Sequence, residues 1–466
     1  MDPLDTAMWI GEVLSNPMHA AALLILSPPD DAGPGYVDEL YREGLVGSEE
    51  LDPRLRRRPH RGLDTFGMWV WQDLGDVDVR VHLQRRTLPE GFGEDALWRL
   101  VAELHAERLD RSRPLWMTYL IDGLPDGRFA FYVKVHHIVV DGVAGMQMIS
   151  DALSTDPTQR SMKPFYAVGP HAPVERSGSG RRIPNPVSVL RSIVGATTSA
   201  IGLARRAAAG EMSYLAGSLA EGTTVLPMSA PFTRLNGPLG RPRAVAGATW
   251  PKKRIEAVQE AAGVTGNDVL MAVVAGVLRS WLSDLGELPK RSLVAFCPIT
   301  VRVSGDNSQA EHANLFGLEL CPLGTDLENP AKRLALIHRA MAWAKQQVAS
   351  HGSGATTLLA APAIAPTALQ SMIPFGPKRR TGYNVPISNV RGPQNDMYFN
   401  GAHLDALYPV STVFDGLALN ATICSYVDQI AFGYVAGRDV VPDIESFIPR
   451  TERSLAELEA AVGVTA

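Results

Sequence analysis

The chain has 466 residues, of which 45% are apolar and 20% charged, and its net charge is −5. That length points to two or three domains, and the apolar share excludes a disordered chain. The acidic balance argues against a nucleic-acid binder, which carries a basic stripe. Cys297, Cys321 and Cys424 are far apart and form no CxxC pair. Neither a disulfide framework nor a structural zinc site is expected, and a reducing compartment fits. The start, MDPLDTAMWIGE, has acidic residues where a signal peptide needs basic ones, so the expected location is cytoplasmic.

Apolar spacing predicts a helix over 4–14 and a buried strand over 19–26. Residues 77–84 alternate like a strand. Residues 94–108 carry Leu97, Leu100, Val101 and Leu104 on one helical side. The runs 116–121 and 129–135 read as hairpin strands joined by GLPDGR, and 143–153 as a helix. Residues 155–186 are rich in Pro, Ser, Gly and Arg and read as a surface linker. Residues 187–226 read as helical, packed on the protein, crossing between halves, or lying on a membrane surface. Further on come helices over 252–262 and 268–282 and strands over 293–303 and 314–322. A helix over 329–350 follows, with Asn329 as N-cap and Pro330 in its first position. Strands over 383–389, 406–413, 417–425 and 429–435 end the pattern. The expected fold class is α/β, with a first half at 1–155, linker and crossover helices at 156–234, and a second half at 235–466.

No residue between 354 and 377 is charged, and Lys378, Arg379 and Arg380 follow. The length suits a membrane span. Pro362, Pro366 and Pro374 interrupt it, each costing about 3 kcal/mol inside a helix. A surface touching membrane or lipid droplet is expected instead of a span.

The stretch VKVHHIVVDGVAG, residues 133–145, places two histidines where strand alternation ends. Neighbours on a strand point to opposite faces, so only one of His136 and His137 can face a given cleft. His137 is the candidate general base, because an imidazole titrates near cytosolic pH. Asp141 can fix the following loop through backbone N–H groups or an arginine, and Gly142 lets the chain turn without a Cβ. The same residues allow other readings. Adjacent histidines on a strand suit a shared metal poorly, and no metal is expected. A Ser–His–Asp hydrolase lacks its G-x-S-x-G elbow. Both histidines could also be satisfied core residues.

H-H-x-x-x-D-G resembles the signature of the coenzyme A-dependent acyltransferase superfamily. The rest of the chain is similar to the bacterial wax ester synthase/acyl-CoA:diacylglycerol acyltransferase family over nearly its whole length. The likeness lies in PLDTAMW (3–9), NPMH (16–19), DRSRPLW (110–116), LNGP (235–238), GNDVLMA (266–272), PITVR (298–302), Asn314, SNVRGP (388–393), LYPVS (407–411) and the pair Ser425, Tyr426. Arg391 departs from the family, which usually has proline there.

The resemblance implies two chloramphenicol-acetyltransferase-like domains, each a mixed sheet with flanking helices, and an active-site tunnel at their interface. It implies acyl transfer from acyl-CoA, as substrate and without a resident cofactor, to diacylglycerol or a long-chain alcohol. Asn267 and Asp268 read equally as N-cap and first-turn residues of a helix and as active-site lining. Arg302 is the candidate partner of Asp141. Two rivals are a condensation-type enzyme using carrier-protein thioesters and an inactive lipid-binding relative.

Overall fold

Two six-stranded sheets form the frame of the protein. A computed structural model describes residues 1–466 except 2, 15, 90, 92, 168–224, 226–228, 302–314, 352–380 and 465–466. The helix expected over 187–226, Arg302, Asn314 and the uncharged 354–377 stretch with Lys378, Arg379 and Arg380 lie outside the described residues, apart from Val225 in the first of these.

The first half runs α1 (Pro3–Leu14), β1 (His19–Ser27), α2 (Tyr36–Glu43), β2 (Arg57–His60), β3 (Val70–Asp73), α3 (Val79–His82), β4 (Leu83–Thr87), α4 (Gly93–Ala106), β5 (Trp116–Asp122), β6 (Phe129–His136) and α5 (Gly142–Ala152). The second runs β7 (Arg243–Pro251), α6 (Lys252–Ala262), α7 (Gly266–Asp284), β8 (Val294–Val301), β9 (Leu315–Pro322), α8 (Pro330–His351), β10 (Val385–Arg391), β11 (Tyr398–Phe399), β12 (Ala402–Val410), β13 (Leu419–Tyr426), β14 (Gln429–Gly437) and α9 (Phe447–Ala461).

The first sheet has the order β11-β12-β1-β6-β5-β4, and the second β7-β14-β13-β10-β8-β9. Strands β2 and β3 pair separately. The division expected at 235 is therefore not kept by the sheets. β11 and β12 belong by sequence to the second half, yet β12 lies antiparallel to β1, with Leu24 opposite Leu407. β12 also packs across β13 and β14. Val245, Cys424 and Val435 of the second sheet accordingly share one apolar core with Leu23, Leu120 and Phe129 of the first. The other face of the second sheet is covered by α7, whose buried residues run from Asp268 to Leu282, with α8 and α9 against it.

Two local expectations change. Residues 77–84 do not start as a strand. Asp78 accepts the Arg80 N–H at 3.0 Å and opens the short helical turn α3, so the strand begins only at Leu83. Strand β7 was not expected, because AVAGAT shows little apolar–polar alternation, yet it pairs along its whole length with β14. Asn329 does cap α8, accepting the Lys332 N–H at 3.1 Å.

Among the described residues no single helix is long and apolar enough to cross a membrane; α6 and α7 meet such a test only together, bent by 105°. The close crossing of β12 over β14 depends on Gly433, where a Cβ would run into the Pro409 carbonyl oxygen. Gly433→Ala should therefore lower unfolding free energy by about 1–3 kcal/mol. Chemical denaturation checks this; unchanged stability would mean that the crossing can relax.

Candidate active site

Strand register fixes the histidine pair. β6 ends at His136, opposite His19 of β1, and the His137 N–H donates to the Met18 carbonyl at 2.9 Å. The two imidazoles then part. His136 is only 1% exposed and points beneath α1. Its Nδ1 accepts the Ile138 N–H at 3.2 Å, which assigns the ring proton to Nε2. That Nε2–H donates to Glu12 Oε2 at 3.2 Å. Glu12 also accepts the Met18 N–H at 3.2 Å and lies 3.7 Å from Arg111. Burial would raise the Glu12 carboxyl, but the His136 hydrogen bond, the Met18 N–H and Arg111 outweigh it and hold it below the usual carboxylate value. Trp9 closes this pocket, edge-on to His136 at 5.8 Å and under the Arg111 guanidinium.

His137 is half-buried. Desolvation lowers its pKa from the ordinary value of 6.5, and a hydrogen bond to its own backbone and the charge of Asp141 oppose the shift. His136 is thus tied at both ring nitrogens, and His137 is the less buried of the two.

Asp141 is the N-cap of α5, its Oδ1 accepting the Ala144 N–H at 2.8 Å. Of the two expectations for it, the backbone bond is the one seen. Its charge also reaches Arg54, whose main partner is Asp52. Gly142 differs from expectation: a Cβ there would meet nothing within 4 Å, and its backbone is not in the left-handed region that demands glycine.

α5 lies against β10 of the second sheet, so the histidine loop sits at the junction of the halves. The Asn389 side chain of β10 donates to Asn267 Oδ1 at 3.4 Å, joining two sequence-distant motifs. Asn267 is not the N-cap of α7. Thr265 is, and Asp268 completes the capping box by accepting the Thr265 N–H at 3.0 Å. Asp268 also holds His338 Nδ1 at 2.8 Å. Gly392 is required for close approach, since a Cβ would meet the Ser425 carbonyl at 2.6 Å, and Arg391 beside it ends β10 exposed.

Gly142, Gly145, Met146 and Ile149 share one face of α5 at helical spacing. The far end of the helix, about 15 Å along the axis, borders an apolar pocket lined by Ile149, Ala152, Leu153, Leu24, Phe131 and Phe165. Among the described residues no group of three His, Cys, Asp or Glu could hold a metal ion. Sequence reasoning missed Glu12 and His338 and gave Trp9 no role beyond its place in the PLDTAMW motif; the helical spacing of Trp9 and Glu12, three residues apart, was the signal for Glu12.

The model of the wax ester synthase/diacylglycerol acyltransferase catalytic domain matches residues 1–270, and that of the WS/DGAT C-terminal domain matches residues 312–459. The chain belongs to the wax ester synthase/diacylglycerol acyltransferase family. A putative diacylglycerol O-acyltransferase of Mycobacterium tuberculosis H37Rv is 37% identical over 460 residues, covering 98% of this chain and 89% of that one. A second from the same strain is 36% identical over 468 residues, covering 100% of both. The wax ester synthase/diacylglycerol acyltransferase of Marinobacter aquaeolei VT8 superposes with a TM-score of 0.78 at 32% identity, over 99% of each chain. The starter condensation domain of rhizomide synthetase shares the fold, with a TM-score of 0.57 at 13% identity over 99% of this chain and 94% of that one. The protein is an O-acyltransferase of this family, with the chloramphenicol-acetyltransferase-like α/β fold.

The capping role of Asp141 makes a specific prediction. Asp141→Ala should cost about 0.5–2 kcal/mol of stability, whereas Asp141→Asn, whose amide oxygen can still accept, should keep most of it. Equal losses in denaturant titrations would show that the charge, not the cap, is what α5 needs.

Proposed function

We propose that the enzyme transfers a long-chain acyl group directly from acyl-CoA to the hydroxyl of diacylglycerol or a long-chain alcohol, with His137 as general base. His137 Nε2 takes the hydroxyl proton as the alcohol oxygen attacks the thioester carbonyl. The new C–O bond forms and the carbonyl electron pair moves onto oxygen. Collapse of this tetrahedral oxyanion breaks the C–S bond, and the coenzyme A thiolate leaves and recovers the proton from His137. General-base assistance of this kind is worth roughly 10²- to 10⁴-fold.

The observation that supports this reading is the contrast within the pair: His136 is engaged at both ring nitrogens, and His137 beside it is half-buried, with a pKa lowered by desolvation. Asn267, held through its oxygen by Asn389, supports a role for its N–H groups at the oxyanion. Asp141 acts by capping α5. Arg302, although outside the described residues, remains the candidate arginine near it. The apolar lining at the end of α5 suits the far end of an acyl chain in chemistry. Direct transfer is supported by the thiols: all three cysteines are buried, and burial pushes Cys424 up to about 12, far from a nucleophilic thiolate. No resident cofactor enters the scheme. A lipid acceptor implies work at a membrane or droplet surface by a cytoplasmic protein.

The test is incubation of pure protein with palmitoyl-CoA and a panel of alcohols, reading free thiol and lipid product. Transfer from acyl carrier protein alone would contradict the donor assignment. The two histidines should separate cleanly. His137→Ala should lose about 10²-fold or more in turnover while melting as wild type. His136→Ala strips the partner from a buried carboxylate and should lose about 3 kcal/mol of stability. The reverse pattern would exchange their roles.

A further inference from the structure

We propose that the loop at residues 61–69, between β2 and β3, docks the enzyme on an anionic phospholipid surface and brings the mouth of the active site onto it. Leu63, Phe66 and Met68 are 98%, 91% and 61% exposed. Single exposed apolar residues need no explanation, but three at one hairpin tip form a patch. Phe66 has φ +52, the left-handed region that a bulky side chain rarely adopts, and Gly67 follows at φ +72. This turn directs an aromatic ring away from the protein, where it contributes nothing to packing in the described structure.

The charge around the tip selects the partner. Arg54, Arg56, Arg57, Arg58 and Arg61 lie within eight residues, and Asp64 is the one acid between residues 53 and 68, in a chain whose net charge is −5. Arg54, Arg56 and Arg58 are engaged by Asp52, Asp73 and Gln72. Arg57 and Arg61 are exposed, and Arg61 leans over Trp69 at 5.9 Å. Apolar tips inserted at the acyl boundary with arginines at the headgroups are the arrangement of an interfacial anchor.

The base of the loop leads to the chemistry. Trp69 stacks edge-on against Trp9 at 5.8 Å, and Trp9 stands 5.8 Å from His136. Trp69 and Trp71 pack on the cluster of Trp9, Leu115 and Ile138, with Ile138 next in sequence to His137. A lipid surface at the tip is therefore joined by contiguous aromatic packing to the wall of the catalytic loop. That is where a lipid alcohol must arrive if the proposed acceptor is right. The docking itself does not depend on that reading.

The test uses the full-length protein and sedimentation with vesicles of phosphatidylcholine alone or mixed with phosphatidylglycerol. Wild type should bind the anionic vesicles, less so as salt rises. Leu63→Ser/Phe66→Asn should lower partitioning at least about tenfold; asparagine tolerates the left-handed backbone, so misfolding is not the cause. Arg57→Glu/Arg61→Glu should abolish the preference for anionic lipid. Melting temperatures should be unchanged in both. With palmitoyl-CoA and a water-soluble alcohol, the Leu63→Ser/Phe66→Asn protein should turn over as wild type, and with vesicle-held diacylglycerol it should lose rate in step with binding. Vesicle binding that survives both double substitutions overturns the proposal. So does a wild-type protein that ignores vesicles and instead forms a dimer that Leu63→Ser/Phe66→Asn dissociates. Absence of any acyl transfer in wild type would sink the proposed function and leave the vesicle result to judge the loop.

Discussion

Strand β12 hydrogen-bonds to β1, and β1 hydrogen-bonds to β6, the strand that delivers the histidine pair. The position of His137 thus rests on a pairing between residues separated by nearly the whole chain, with Ala21 opposite Val410. A slip of one residue in any of these registers would turn the alternate set of side chains toward the core and rotate the histidines with it. The same strand lies over β13 and β14, so the halves cannot move apart without breaking both a ladder and an apolar interface. His105 ties this junction further, with Nε2 on the Ser411 carbonyl at 3.1 Å and Nδ1 on the Tyr132 hydroxyl at 2.8 Å. Such non-local pairing pays its loop-closure entropy before it gains contacts, and it makes the halves one cooperative unit.

Around this junction the protein buries several ionisable groups and satisfies most of them. Lys134 donates to the carbonyls of Leu104 and Glu107, and desolvation still lowers its pKa to about 8. Desolvation takes His105 down to about 3 and His19 well below the ordinary value, so both are neutral spacers. Glu12 is held as a carboxylate by His136, Met18 and Arg111. The basicity of His137 is set first by its own desolvation, opposed by a backbone hydrogen bond and by Asp141.

Much of the site was legible because it is local. The H-H-x-x-x-D-G run carries the strand end, the proposed base and the helix cap within seven consecutive residues, 136–142. The rest depended on distance or on chemistry that patterns do not distinguish. The partner of His136 lies 124 residues upstream on α1, and nothing marks Glu12 as buried until the helix meets the strand. Asn267 and Thr265 are both good caps by type, and geometry chose Thr265 because Asp268 could then bond back to it. β7 was passed over because alanine and glycine carry little periodic signal, while the packing of Trp98 over Gly247 is what needs them small. The sequential cut between halves failed at β12 for the same reason: strand adjacency is a property of the sheet, not of the chain.

The central claim is that a single neutral imidazole, lowered by desolvation, removes the acceptor proton. The most direct test is the pH dependence of kcat/KM for acyl transfer in the wild-type enzyme. A desolvated base stays unprotonated in mildly acid solution, so the acid limb should fall at a pKa below the ordinary histidine value of 6.5. Asp141 raises the value, so Asp141→Asn should move that limb further toward acid. An acid limb at or above 6.5, or one unmoved in Asp141→Asn, would contradict the account.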